Sequence, residues 1–169
     1  MNTNSLSQSE LKALLHYDPE TGVWTNRVQR GVRGAIGLET GSVRKQDGYR
    51  FIAIKKKYYS AHRLAFLYME GSLPSDQVDH INHVKDDNRW CNIRHATSTM
   101  NNRNSPRNWN NKSGVTGVYW ATEKNKWVAE ITKKRKKISL GNYKNLLDAC
   151  CARKSAEIEY GYHPNHGRR

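Results

Sequence analysis

Val78–Asn104 reads VDHINHVKDDNRWCNIRHATSTMNNRN, and the reading of this stretch decides the fold. It holds an adjacent Asp79-His80 pair, a scatter of asparagines, and Asn101 inside a short helix expected through Thr99–Asn104 with Thr97 as cap. Gln77–Ile81 reads as a short strand and Trp90–Ala96 as a second short element. Phosphodiester hydrolysis needs an activated water, a cation for the charge on the scissile phosphate and leaving oxygen, and a rigid arrangement of both. A hard cation such as Mg²⁺ takes oxygen ligands, which suits Asp79 and an amide oxygen from Asn101. A histidine neutral near pH 7 is suited to taking a proton from water, and an asparagine can accept its other N–H and fix its tautomer. Adjacent residues of a regular strand point to opposite faces, so Asp79 and His80 share a site only where the strand ends or bends.

Other readings of the same residues exist. His80-x-x-His83 followed by Cys91-x-x-x-His95 imitates a structural zinc site, but the cysteine is single and Asp79 goes unused. Taken one at a time, His80 reads as a hydrogen-bonded structural histidine and Asp79 as a turn or cap residue. Asn92 and Asn101 read as turn and helix-surface residues. The combination needs one explanation for all four. Arg63, Arg89 and Arg94 flank the set and suit phosphate contact or transition-state charge; their alternative is surface pairing with Asp86 or Asp87.

Upstream, His62–Met69, HRLAFLYM, favours a helix ended by Gly71 and Pro74. Gly48–Tyr59, GYRFIAIKKKYY, alternates apolar and polar residues and reads as a strand pair turning at the lysines. Ser7 or Ser9 caps a short helix through LKALLHY. Downstream, Pro106–Lys112 (PRNWNNK) is polar and turn-prone and reads as a linker. Three β-rich runs follow, Val115–Ala121, Lys126–Lys133 and Lys136–Tyr143. The last is succeeded by a helix whose apolar face is expected from Leu146, Leu147, Cys150, Cys151, Ala156 and Ile158.

Charge has a layout. The 169 residues carry 29 Lys plus Arg against 15 Asp plus Glu, a net +14, and only 36% are hydrophobic. Residues 1–60 hold +5, residues 61–105 hold zero and residues 106–169 hold +9. A neutral, carboxylate-containing middle thus sits between basic flanks, and a polyanion, most commonly nucleic acid, is the expected partner. No apolar run approaches the roughly 20 residues that span a bilayer, and no signal peptide is evident at the N-terminus. Cys91, Cys150 and Cys151 do not suit a disulfide framework, so a reducing cytoplasm (the host cell's, for a phage protein) is the expected compartment.

The pattern VDHIN…DNR…NIRHAT…N..N, with HRLAF and GYRFIAI before it and LLHYDPETGVW from Leu14, resembles the HNH homing endonucleases of bacteriophages. The resemblance implies a ββα-metal fold, a short hairpin bearing Asp79-His80 and a helix bearing Asn101. It further implies His80 as general base, Asn92 as the residue orienting it, and Asp79 and Asn101 as ligands of a divalent metal ion, Mg²⁺ or Mn²⁺. Asn101 stands where other members carry a final histidine.

Ser113 to about His163, with SGVTGVYW, KWVAEI, KKISLGNY and LLDACCARKSAEIEYG, resembles the plant APETALA-two (ethylene-response-factor) type DNA-binding domain. That family lays a three-stranded sheet in the major groove with a helix behind it, a fit that a β-ribbon's width permits. Tyr119, Trp120, Trp127 and Glu130 are then expected on the groove side. Lys133, Lys134, Arg135, Lys136 and Lys137 would track phosphates, although for Trp127 core packing is an equally simple reading. The chain departs from the plant pattern at Thr116 and Ser139, where the family has an arginine and a tryptophan, so no target sequence carries over.

The expected fold class is α+β: an HNH core plus a small three-stranded antiparallel sheet packed on one helix. The expected division is a basic β-rich region (1–60), the nuclease core (61–105), a linker (106–112) and the DNA-binding module (113–169). The expected function is metal-dependent cleavage of double-stranded DNA. The alternatives are a DNA-binding regulator on an inactive HNH scaffold and an RNA-binding protein, the latter leaving the Asp-His-Asn set without a role.

Overall fold

The computed structural model describes residues 6–32, 34–133 and 136–168. They divide into two compact units that meet at Thr97/Ser98. The fold is α+β, with four helices and four small antiparallel sheets among the described residues.

The first unit opens with α1 (Gln8–Leu14), where the Ser7 hydroxyl accepts from Glu10 N at 3.2 Å. The helix expected to run through Tyr17 stops earlier, because Leu15–Tyr17 forms β1 and pairs with β2 (Trp24–Asn26). Tyr17 and Trp24, both fully buried with ring centroids 4.7 Å apart, gain more from facing each other across this hairpin than from one more helical turn. β3 (Ser42–Val43), β4 (Arg50–Ile54) and β5 (Lys57–Ser60) make a second sheet. Its β4–β5 turn falls at the lysines as expected, with Lys55 and Lys56 at φ 48° and 64°, the left-handed pair a two-residue hairpin requires. α2 (Ala61–Glu70) ends in left-handed Gly71 at φ 85°. β6 (Gln77–His80) and β7 (Ile93–Ala96) complete the unit as a hairpin whose long loop closes through a 3₁₀ turn at Trp90–Asn92.

One core joins these pieces. Leu11, Leu15, Tyr17 and Trp24 from the N-terminal elements, Ile52 and Ile54 from β4, Leu64–Leu67 from α2 and Ile93 from β7 are buried together. The elements from α1 to β5 are therefore the scaffold on which α2 packs, and one core runs across the boundary expected at residue 60.

The second unit holds α3 (Ser98–Arg103), β8 (Val118–Ala121), β9 (Lys126–Lys133), β10 (Lys136–Tyr143) and α4 (Leu146–Glu159). The sheet order is β10-β9-β8, all antiparallel, with α4 against it. A register shift between Ser139 and Gly141 leaves Leu140 as the extra residue and lets it join Val118, Ala129 and Ala149 in the core. The expected face of α4 is corrected: Leu147 and Ile158 are 71% and 82% exposed. The sheet-facing stripe is Leu146, Ala149, Cys150, Arg153, Ala156 and Glu157, at helical spacing. Two charges enter that stripe because they pair, Arg153 Nε donating to Glu157 Oε1 at 2.9 Å and Nη1 to the Glu130 carbonyl at 2.7 Å. Pro106–Lys112 is not a free linker. Arg107 N donates to the Arg168 carbonyl (3.3 Å) and Asn111 Nδ2 to the Val115 carbonyl (3.0 Å), which ties it into this unit.

Candidate active site

His80 is the last residue of β6 and is 4% exposed; Asp79 beside it is 5% exposed. The β6–β7 register sets Asp79 opposite Arg94, whose Nε and Nη2 donate to Asp79 Oδ2 at 3.1 and 2.7 Å. The pairing follows from the pleat, since cross-strand partners place their side chains on the same face. The His80 ring lies among Tyr49 and His62, at centroid distances of 5.7 and 5.0 Å. Burial pushes its imidazole below the ordinary value, outweighing the upward pulls of the Asn88 hydrogen bond and of Asp79 and Asp87. The ring is therefore neutral at pH 7.

Its tautomer follows from a residue that the sequence reading quoted in DNR but gave no role. Asn88 is 1% exposed, and its Nδ2 donates to the Asp86 carbonyl at 3.1 Å. That contact orients the amide so that Oδ1 faces His80 Nε2, 3.3 Å away. An amide oxygen only accepts, so in this contact Nε2 is the donor. The buried Tyr17 hydroxyl anchors Asn88 from the first hairpin, donating to its carbonyl at 2.6 Å.

Asn92, expected to orient His80, makes two bonds within the loop. Its Oδ1 accepts from Asn82 N at 3.0 Å and its Nδ2 donates to the Asp87 carbonyl at 2.8 Å, stapling the two ends of the β6–β7 loop. Asp87 also takes Asn82 Nδ2 at 2.7 Å and Arg89 at 2.6 Å, contacts that hold its carboxyl below the usual range, the Arg89 bond most strongly. Arg50 clamps Asp86 with bonds of 2.7 and 3.0 Å.

The three flanking arginines each have a partner inside the protein. Arg63 donates to the Asp76 and Pro74 carbonyls, Arg89 pairs with Asp87, and Arg94 with Asp79. The zinc arrangement is not assembled: His80 is buried, Cys91 is exposed, and His95 Nε2 lies 2.9 Å from Glu70. Among the described residues no cluster of three or more His, Cys, Asp or Glu side chains suits a metal ion. Asn101 sits on α3, in the second unit, while Asp79, His80 and Asn92 belong to the first.

In the second unit the sheet divides the residues expected on one groove-facing side. Trp120 pairs across strands with Trp127, rings 5.3 Å apart, on the face that carries Val118 and Ala129 toward α4. Tyr119, Glu130 and Lys137 are linked on the opposite face: Lys137 Nζ reaches Glu130 Oε1 at 2.8 Å and the Tyr119 hydroxyl lies 3.5 Å from Oε2. The Lys133 ammonium lies over the Tyr160 ring at 4.4 Å. Lys134 and Arg135 fall outside the described residues.

Comparison with known proteins finds similarity over part of the chain. Residues 59–103, from the end of β5 through α3, match the family model described as HNH endonuclease. A solved structure of DNA binding and cleavage by the HNH homing endonuclease I-HmuI is similar at 26% identity over 52% of this chain and 49% of that one, with a TM-score of 0.39. The chain thus spans about half the length of that protein. A search of curated proteins finds no match. No helix among the described residues is long and apolar enough to cross a membrane.

Proposed function

We propose that this chain is a metal-dependent DNA endonuclease of the HNH homing type. One observation supports the reading above the others. Within the segment that matches the HNH endonuclease model, His80 is buried beside Asp79 and bonded to Asn88, and burial pushes its imidazole below the ordinary value. His80 takes a proton from the water that attacks a DNA phosphate in line, and the resulting imidazolium is steadied by Asp79 and Asp87. Asn92 keeps the loop between β6 and β7 closed, so the base does not drift.

Asp79 would supply a carboxylate and Asn101 an amide oxygen to Mg²⁺ or Mn²⁺, with water and phosphate oxygens completing the set; hard oxygen donors of this number suit such ions. When bound, the cation offsets negative charge on the scissile phosphate and the leaving oxygen. The products expected are 5′-phosphate and 3′-hydroxyl ends.

The second unit, read as an APETALA-two type module, would hold double-stranded DNA. Tyr119, Glu130 and Lys137 sit on one sheet face, Lys133 ends β9, and Trp120 and Trp127 support the sheet from the other face; Lys134 and Arg135, next in the sequence, would add charge for phosphates. Arg63, Arg89 and Arg94 would shift part of their bonding to phosphates on binding. Incubating wild type and His80→Ala with supercoiled and phage genomic DNA, with and without Mg²⁺, tests the reading: nicked or linear products should need both the metal and His80.

One observation favours a second reading. Asp79 Oδ2 already accepts two N–H groups from Arg94, as it would in a scaffold that binds DNA without holding a cation. A salt-sensitive gel shift with intact DNA in every Mg²⁺ or Mn²⁺ lane would favour that regulator.

A further inference from the structure

A buried network in the second unit leaves donors without acceptors. Arg153 Nε donates to Glu157 Oε1 at 2.9 Å, Nη1 to the Glu130 carbonyl at 2.7 Å, and Nη2 to His166 Nε2 at 3.2 Å. A guanidinium has no lone pair to offer, so Nε2 of His166 is the acceptor. Burial holds this imidazole down to about 4, and a neutral ring that accepts at Nε2 carries its proton on Nδ1. His166 is 5% exposed, and its Nδ1 is buried without a hydrogen bond, although the Arg103 carbonyl is near enough to favour the protonated ring. The Thr116 hydroxyl is a second buried polar atom with no partner. Native structures keep few such groups, because stripping them of water is costly.

Both residues line one open cavity of about 740 Å³, within the size range of small-ligand sites. Arg103, the last residue of α3, lines it too. Its guanidinium lies over the Tyr162 ring at 5.6 Å, and among the described residues no carboxylate pairs with it. The acids nearby are already engaged: Glu130 by Lys137 at 2.8 Å, with the Tyr119 hydroxyl at 3.5 Å, and Glu157 by Arg153 and Lys154. The cavity thus offers a cation, a ring N–H and a hydroxyl from three separate segments. A tetrahedral anion with several acceptor oxygens suits that set better than a planar carboxylate, and the volume leaves room for the sugar attached to it. We propose that this cavity binds the phosphate of a nucleotide unit, Arg103 supplying the charge while His166 Nδ1–H and the Thr116 hydroxyl bond the phosphate oxygens. The phosphate belongs either to the DNA backbone or to a free mononucleotide. The proposal stands whether or not the chain cuts DNA.

The test follows the His166 ring nitrogens of the full chain by ¹⁵N NMR near neutral pH. Inorganic phosphate, thymidine 5′-phosphate, thymidine and a short duplex DNA are added separately, the small molecules at millimolar concentration. The free protein should show the Nδ1–H tautomer. Inorganic phosphate and thymidine 5′-phosphate should shift Nδ1, and thymidine, which lacks the charge, should not. Arg103→Gln should weaken thymidine 5′-phosphate binding by about 10- to 100-fold, the scale of a lost hydrogen bond between charged groups, and Thr116→Val by about 2- to 10-fold. Arg103→Lys, which keeps the charge without the fork, should fall between wild type and Arg103→Gln. The duplex identifies the source. A duplex-induced shift of Nδ1 that Arg103→Gln abolishes assigns the site to the DNA backbone; a duplex that neither shifts Nδ1 nor displaces thymidine 5′-phosphate assigns it to a free nucleotide. An Nδ1 that responds to none of the phosphate-bearing probes would overturn the proposal. So would an equal response to thymidine, or wild-type affinity in both Arg103→Gln and Thr116→Val.

Discussion

Asn88 uses one amide twice, giving its Nδ2 hydrogen to Asp86 and turning its oxygen to His80. Asn88→Ala therefore strands a buried ring N–H, at about 1–3 kcal/mol of stability, and frees the tautomer on which the proposed base depends. Denaturant unfolding and cleavage rates check both effects; Asn88→Asp, which keeps the acceptor, should retain more activity than Asn88→Ala. Asp79, His80, Asn92 and Asn101 stood out in the sequence because each is an unusual residue at a spacing that chemistry explains. Asn88 did not, because asparagines crowd Asn82–Asn111 and nothing local separates a buried one from a turn residue. Its burial is decided by Tyr17, 71 positions away. Asn92 was legible as important, but which group it bonds depended on how the loop closes.

α4 shows what element-level patterning gives and withholds. Its existence was legible, as were β9 and β10 to the residue, because long runs carry a strong period. Its face was not, since Leu147 and Ile158 count as apolar while the buried pair Arg153–Glu157 counts as solvent-facing. Ile158→Lys should change stability by no more than about 0.5 kcal/mol. Arg153→Ala should cost about 1.5–3 kcal/mol, because it removes charge-assisted bonds to Glu157 Oε1 and the Glu130 carbonyl while Lys154 still pairs with Glu157 Oε2 at 2.7 Å; chemical denaturation of each variant checks the contrast. His166, packed against Arg153, gives the element a pH signature. Burial holds its imidazole down to about 4, below the ordinary 6.5 and against the upward pull of Glu157. The unfolded chain therefore binds the extra proton first. Stability should be full above about pH 6.5, fall as the pH drops toward 4, and level off below that, by at most about 1.4 kcal/mol per pH unit. His62, held down to about 3 by burial and by the charges of His80 and Arg63, adds the same trend over a slightly wider window. Unfolding measured from pH 7.5 to 4 should show a flatter slope for His166→Gln than for wild type.

At the scale of the whole molecule, the charge layout was plain in the sequence and the packing was not. Residues 1–60 suit either extra DNA contact or a scaffold for HRLAFLYM on sequence alone, because charge sits on surfaces, whereas their membership of the first core rests on Tyr17, Trp24, Ile52 and Ile54 meeting α2. The +14 surplus predicts that DNA affinity falls steeply with salt. Lys133→Ala and Lys137→Ala should each reduce the slope of log affinity against log salt by about 0.9 if each neutralises one phosphate, a measurement made by titration at several ionic strengths. The most direct test of the central claim is cleavage of supercoiled DNA in Mg²⁺ by wild type and His80→Ala, with DNA binding followed in parallel. The account predicts nicked or linear product from wild type alone, with both proteins binding; equal cleavage by a folded His80→Ala protein, or intact DNA with bound wild type, would contradict it.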